Sequence, residues 1–286
     1  MIVLLIIWHK IFFLLHIHDC GLLIKSRQGR LFYGMLIVFL KFMIMILRQM
    51  YMRQIITMSM FLLFLPFMRM SAQGTYTDTR DNSTYKIVEI GNKVWMAENL
   101  RYLPAVSPSG NLGQDDYNQA KYFVYGYDGN RVEEAKATQE YKIYGALYNM
   151  VAAKNACPAG WHLAKDSEWK SLEKALGMSG SQIKDIGNRG DNQGQRMAGD
   201  TSLWVSYAQV KFKSGAFGSS GFLALPAGFM GANGKFLNMG TKACFWTATE
   251  YCDGYSYFRS ISINSLAVYR NNDDNRCAMS VRCVKD

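Results

Sequence analysis

The chain has 286 residues, 49% hydrophobic and 19% charged, which suffices to bury at least one full core. Its net charge of +10 is concentrated at the start: residues 1–72 hold eight Lys or Arg against the single acid Asp19, leaving 24 basic and 21 acidic residues, or +3, for the rest. So small a balance excludes a basic stripe for nucleic acid, and no such partner is expected.

The opening segment also carries ten of the seventeen Met residues. Two readings compete for it. Leu31 to Leu47 is a seventeen-residue apolar run broken by Lys41, somewhat short of the roughly 20 residues a membrane span needs. The second reading fits better. Met52-Arg53-Gln54 form a charged n-region, Ile55 to Phe67 an apolar h-region, and Met70-Ser71-Ala72 a small-residue cleavage site before Gln73. Residues 1–51 are then an upstream extension from an early start assignment, 52–72 a signal peptide, and 73–286 one exported domain with no membrane span of its own. No lipid-attachment cysteine follows the h-region, so the expected destination is secretion or the cell surface.

Cysteine usage agrees with export. The expected mature part holds Cys157, Cys244, Cys252, Cys277 and Cys283, without a C-x-x-C pair. Disulfides are the natural reading, and the odd number leaves at least one thiol over.

In chain order, Tyr85, Ile87 and Glu89 alternate with Lys86, Val88 and Ile90, and Gly91-Asn92 predicts a hairpin turn into a strand over Lys93 to Met96. Pro104 to Asp116 reads as loop. Lys121 to Tyr127 reads as a strand with Phe123, Tyr125 and Tyr127 on one face, ended by Asp128-Gly129. A helix is predicted over Ala146 to Asn155, closed by Cys157-Pro158. A second begins at Asp166 as N-cap, buries Trp169, Leu172 and Leu176, and stops at Gly177. Residues 177–221 are rich in Gly, Ser, Asn and Gln, with only Trp204 to Phe212 strand-like. Short strands follow over Gly221 to Leu225, Cys244 to Glu250, Tyr255 to Ile263, Ala267 to Tyr269 and Met279 to Val284. The fold class is mixed α+β, in one domain.

TYKIVEIGNKVWMAENLRY, YGALYNM, CPAGWHLAKDSEWKSLEKALG, SSGFLALPAGF, FWTATEY and SVRCVKD stand here in this order. The series resembles the Fibrobacter succinogenes major paralogous domain family over essentially all of residues 75–286. That family is similar to the formylglycine-generating-enzyme branch of C-type-lectin-like folds and is typical of exported and surface proteins of Bacteroidetes. The resemblance implies a C-type-lectin-like fold with two helices, short antiparallel sheets and a long irregular loop region. The chain departs from the family pattern at Ala164, usually Pro, and Met150, usually Trp; Cys244, Cys252 and Cys277 look like additions. The fold plan implies a Cys157–Cys283 disulfide, which stabilises by about 4–5 kcal/mol in the chain-entropy model. Cys252 with Cys277 is the expected second pair, leaving Cys244 free.

His162 is the only histidine after residue 18. Triads and most zinc sites surround a histidine with further ligands or partners, so the expected role is a hydrogen-bonded core residue. Cys244 and Cys252 are the nearest match to the redox pair an oxidase relative requires, without supporting neighbours, and no pair of carboxylates stands out for glycoside hydrolysis. No enzyme is expected. Calcium is the one cofactor the composition admits: Asp200 in AGDTSLW, and Asn271, Asn272, Asp273 and Asp274 in NNDDN, supply oxygen ligands. Neither word matches the sugar-binding words of calcium lectins, and turns are the simpler reading. Fifteen Tyr and five Trp follow residue 72, a supply that suits a binding surface. Tyr125, Tyr127, Trp204, Tyr251, Tyr255 and Tyr257 are the expected ligand face. The sequence thus points to a noncatalytic module that binds a surface glycan or a cell-envelope protein. Its rivals are a structural part of a surface assembly, such as a fimbrial tip, and an oxidase-like relative.

Overall fold

The structure, a computed structural model, describes residues 35, 37–52, 54, 73–110, 112–205 and 216–286. The chain divides into two compact units, Met1–Arg69 and Met70–Asp286. In the first, residues 37–52 are helical, and no helix among the described residues is long and apolar enough to cross a membrane. The expected h-region and cleavage site lie outside the described residues, as does most of the strand expected over Trp204 to Phe212.

The second unit begins with strands β1 (Gln73–Thr77), β2 (Thr84–Ile90), β3 (Lys93–Met96) and β4 (Tyr122–Phe123). Helices α1 (Val132–Ala137) and α2 (Gln139–Tyr144) lead to β5 (Leu147–Tyr148), α3 (Met150–Ala156), β6 (Trp161–Leu163) and α4 (Asp166–Ala175). Then come β7 (Gly187–Arg189), α5 (Gln193–Met197), β8 (Ala227–Met230), β9 (Phe236–Met239), β10 (Lys242–Cys252), β11 (Tyr255–Ser262), β12 (Val268–Asp274) and β13 (Cys283–Lys285). The architecture is α+β, with five α-helices in the described part of this unit where two were expected.

The predicted hairpin forms. Gly91 (φ +62°) and Asn92 (φ +68°) both adopt the positive φ that a two-residue type I′ turn requires. A side chain at Gly91 would also come within 3.0 Å of the Ser171 carbonyl oxygen, so the turn packs directly on α4.

Helix α3 starts later than its apolar spacing predicts. Leu147 and Tyr148 pair as a strand with Phe123 and Tyr122, and Asn149 caps the helix by accepting a hydrogen bond from the Ala152 amide at 3.0 Å. In α4 the capping position belongs to Lys165, whose amide donates to Glu168 at 2.9 Å. Asp166 is instead the first helical residue, and its carboxylate is bound elsewhere. Trp169, Leu172 and Leu176 are buried as the periodicity predicts.

A five-stranded sheet runs β1-β2-β3-β13-β6, and a six-stranded sheet runs β7-β12-β11-β10-β8-β9. Both lie between two cores. One core packs Tyr85, Met96 and Cys283 from the first sheet and Cys244, Trp246 and Phe258 from the second around the alanines of α3. The other packs Val88, Trp95 and Val284, with Phe245, Ile261 and Val268, around Trp169 and Leu172 of α4. Successive strand residues face opposite ways, so one sheet serves both cores.

The Cys157–Cys283 disulfide is present and ties the end of α3 to β13. Cys252 and Cys277 are not joined: Cys252 is exposed at the end of β10, whereas Cys277 is buried, its thiol donating to Asp273 at 3.6 Å. Cys244 is free and buried, and burial pushes its thiol up to about 12.

Candidate functional site

The sequence of β11, YSYFRSIS, alternates two kinds of residue. Tyr257, Arg259 and Ile261 face one way; Phe258 and the small hydroxyls Ser260 and Ser262 face the other. Pairing extends the second set across the sheet. Ser262 stands opposite Lys242 on β10, and Ser260 lies between Cys244 on β10 and Tyr269 on β12. Tyr269 in turn faces Asn188 on β7, and Phe258 faces Asn271. The core around α3 covers only part of this face. The rest is a cleft of about 500 Å³, with Phe229, Phe258 and Met279 as apolar wall. That volume is in the range of small-ligand sites.

The polar groups of the cleft are oriented by one another. Asn272 Nδ2 donates to Asn271 Oδ1 at 3.4 Å, and Asn271 Nδ2 donates to the Tyr269 hydroxyl at 2.9 Å. With its oxygen accepting, that hydroxyl keeps its own proton for a ligand. Burial raises the Asp273 carboxyl above the usual carboxylate range; it accepts from the Asp274 amide at 2.9 Å and from Cys277.

The opposite face of the same sheet is closed by charge. Arg189 grips Glu173 with both Nη atoms at 2.8 and 2.7 Å, while Arg259 reaches Glu173 through Nε and Asp166 through Nη1, each at 2.7 Å. Arg270 adds a two-point contact to Asp166 at 2.8 and 3.0 Å, and Lys170 lies 2.8 Å from the same carboxylate. Burial alone would raise Asp166, but the bonds from Arg270, Lys170 and Arg259 hold it well below the usual carboxylate range. With Asp166, Glu173, Arg189, Arg259 and Arg270 all buried, this cluster joins α4 to the sheet.

The expected ligand face does not assemble as one surface. Trp204 is 4% exposed, and its indole N–H donates to the Gly199 carbonyl at 3.0 Å. Tyr125 packs on Phe236 with ring centres 5.1 Å apart, and the Tyr127 hydroxyl lies 3.1 Å from the Glu134 carboxylate. Tyr251, Tyr255 and Tyr257 do gather, at the β10–β11 hairpin. Tyr251 and Tyr255 are exposed, and Tyr257 sits edge-on to Tyr251 beneath Arg270.

The expected calcium ligands do not converge either. Asp200 caps its own turn, accepting from the Ser202 amide and hydroxyl at 3.0 and 2.6 Å. NNDD is no turn but the end of β12, whose alternation parts its side chains. Asn271, Asn272 and Asp273 border the cleft, whereas Asp274 turns to Arg276 and the Tyr117 hydroxyl at 2.6 and 3.0 Å. Among the described residues no three His, Cys, Asp or Glu side chains form a cation cage.

His162 is hydrogen-bonded as expected but is not a core residue. Its side chain is 30% exposed on β6, with Nε2 2.9 Å from Glu168 and Nδ1 against Asp286.

The model of the Fibrobacter succinogenes major domain matches residues 88–285. No curated protein and no solved structure matches the chain.

Proposed function

This chain belongs to the Fibrobacter succinogenes major domain family, and we propose that it is an exported, noncatalytic module of C-type-lectin-like plan that binds a surface glycan. The observation that carries this reading is the cleft on the second sheet, where the Tyr269 hydroxyl, the Asn271 amide and serine hydroxyls stand beside the ring of Phe258. A sugar presents hydroxyl edges and C–H faces, and such a wall answers both. The groups stand on paired strands, which hold them better than loops do. The disulfide from the first predicted helix to the last strand favours the C-type-lectin-like plan. Thiol catalysis draws no support from Cys244, which is buried with its pKa raised, whereas reactive thiols are partly exposed and acidified.

The test is a broad glycan array probed with oxidised protein, with calcium and with chelator. Competable binding that survives chelator is the expected result, since Asp274 is held by Arg276 and Tyr117 and Asp273 is the one carboxylate among the described residues that line the cleft. A blank array from folded protein would move the weight to a second reading, a structural part of a surface assembly. One observation favours that alternative: Tyr251, the free thiol of Cys252 and Tyr255 are all exposed at one hairpin, a surface suited to a cell-envelope protein.

A further inference from the structure

Lys242 is the one cation among the described residues that line the cleft. It is partly buried at the start of β10 and forms no ion pair with any described residue. Its neighbours across the sheet are uncharged: Ser262 stands directly opposite, with Asn264 and Ser265 in the following turn. The arginines on the other face of the sheet each have a carboxylate partner. The buried Arg282, though without a carboxylate, is satisfied by the carbonyl oxygens of Met96, Phe222 and Leu223 and by Asn99.

The cleft's one carboxylate stands at the other end. Asp273 pairs with Ser256, and Lys242 with Ser262, so the two rows stand six positions apart along β11. At the rise of an antiparallel strand this is roughly 20 Å, too far for the two charges to neutralise each other. Between them lie only neutral groups, Ser260, Tyr269 and Asn271.

Resting on the glycan reading above, we infer that the cleft takes an acidic saccharide, with one carboxylate or sulfate group seated on Lys242 and neutral ring hydroxyls along Tyr269 and Asn271. A partly buried lysine with no carboxylate partner among the described residues favours an incoming anion, and charge-assisted hydrogen bonds to it are stronger than neutral ones. The second end sets the polarity. Asp273 disfavours a negative charge there, so the ligand carries its acid at one end and enters in one orientation.

The experiment measures binding of the full chain to three oligosaccharides of matched length: neutral, carboxylated (uronic acid) and sulfated, at low and high salt. Wild-type protein should prefer one or both acidic ligands by about tenfold, the value of one charge-assisted hydrogen bond, and lose most of that preference in high salt. Lys242→Gln should lose the acidic-over-neutral preference, whereas Lys242→Arg should retain it. The carboxylate and sulfate arms identify which acid is seated. Equal affinity of wild type for neutral and acidic ligands, or an undiminished acidic preference in Lys242→Gln, would overturn the inference while leaving the glycan reading standing. If the folded protein binds none of the three, both fall together.

Discussion

The two faces of the second sheet treat positive charge in opposite ways. Toward α4, Arg259 and Arg270 are buried and meet Asp166 and Glu173 in a closed network that also takes in Arg189 and Lys170. Toward the cleft, Lys242 is only partly buried and meets no carboxylate among the described residues. The first arrangement spends every charge on joining elements; the second leaves one for something outside the chain. The cores differ to match. The core on the α4 side is fastened ionically, whereas the α3 side is fastened by the Cys157–Cys283 bond and by neutral contacts such as Asn149, whose side-chain Oδ1 accepts from the Lys121 and Ala152 amides. A charge buried with partners is architecture, and a charge partly buried without them marks a place to bind.

The sharpest way to break this contrast is Glu173→Ala. It leaves Arg189 without its carboxylate and takes one of two from Arg259, and a loss of about 3–5 kcal/mol is expected in urea unfolding. A loss below about 1 kcal/mol would reduce the network to the standing of a surface ion pair. The other side is broken covalently. Replacing Cys157 and Cys283 with Ser should cost about 2–5 kcal/mol, and in hydrogen exchange α3 and the β13–β6 pairing should open before α4 does.

Acid separates the two sides without mutation. Asp166 has a folded pKa below its unfolded value, so the unfolded chain takes up protons first. Its contribution is complete above the unfolded value of about 4 and is lost as pH falls below it. Asp274, buried but bonded to Arg276 and Tyr117, is shifted the same way. Stability measured by urea titration should therefore hold from pH 7 to 5 and decline by pH 3. A flat profile would contradict the role given to Asp166. The smallest effect belongs to Lys242→Gln, expected to change stability by no more than about 0.5 kcal/mol while removing the acidic-ligand preference.

Local patterns were legible where one element decided the outcome. Gly91-Asn92 needed only the turn chemistry of a hairpin, and the Trp169, Leu172 and Leu176 stripe only helical spacing. Helices α1 and α2 have few apolar positions, Val132, Ala135 and Tyr141 among them, so periodicity had little to show. The start of α3 moved because β5 competes for Leu147 and Tyr148, a long-range pairing. The cleft was hidden for the same reason, since it exists only once β7, β10, β11 and β12 are in register. One trace of it was readable: small hydroxyls alternate with large side chains in YSYFRSIS, which marks a strand with one uncrowded face. Aromatic spacing could not sort the expected ligand face, because aromatic residues serve cores and surfaces alike: Trp204 went to the core, while Tyr251 and Tyr255 stayed exposed.

The place of β13 bears on how fast the domain can form. It sits inside the first sheet, between β3 and β6, and Arg282 just before it bonds the Met96 carbonyl across 186 residues of chain. The β2–β3 hairpin can close locally, but its inner edge stays bare until a segment almost two hundred residues later arrives to cover it. A topology of such high contact order folds in milliseconds to seconds rather than microseconds. Throughout that interval the apolar side chains of Trp95 and Met96 are open to any other strand edge nearby, which makes the waiting hairpin, rather than the finished domain, the point most exposed to aggregation.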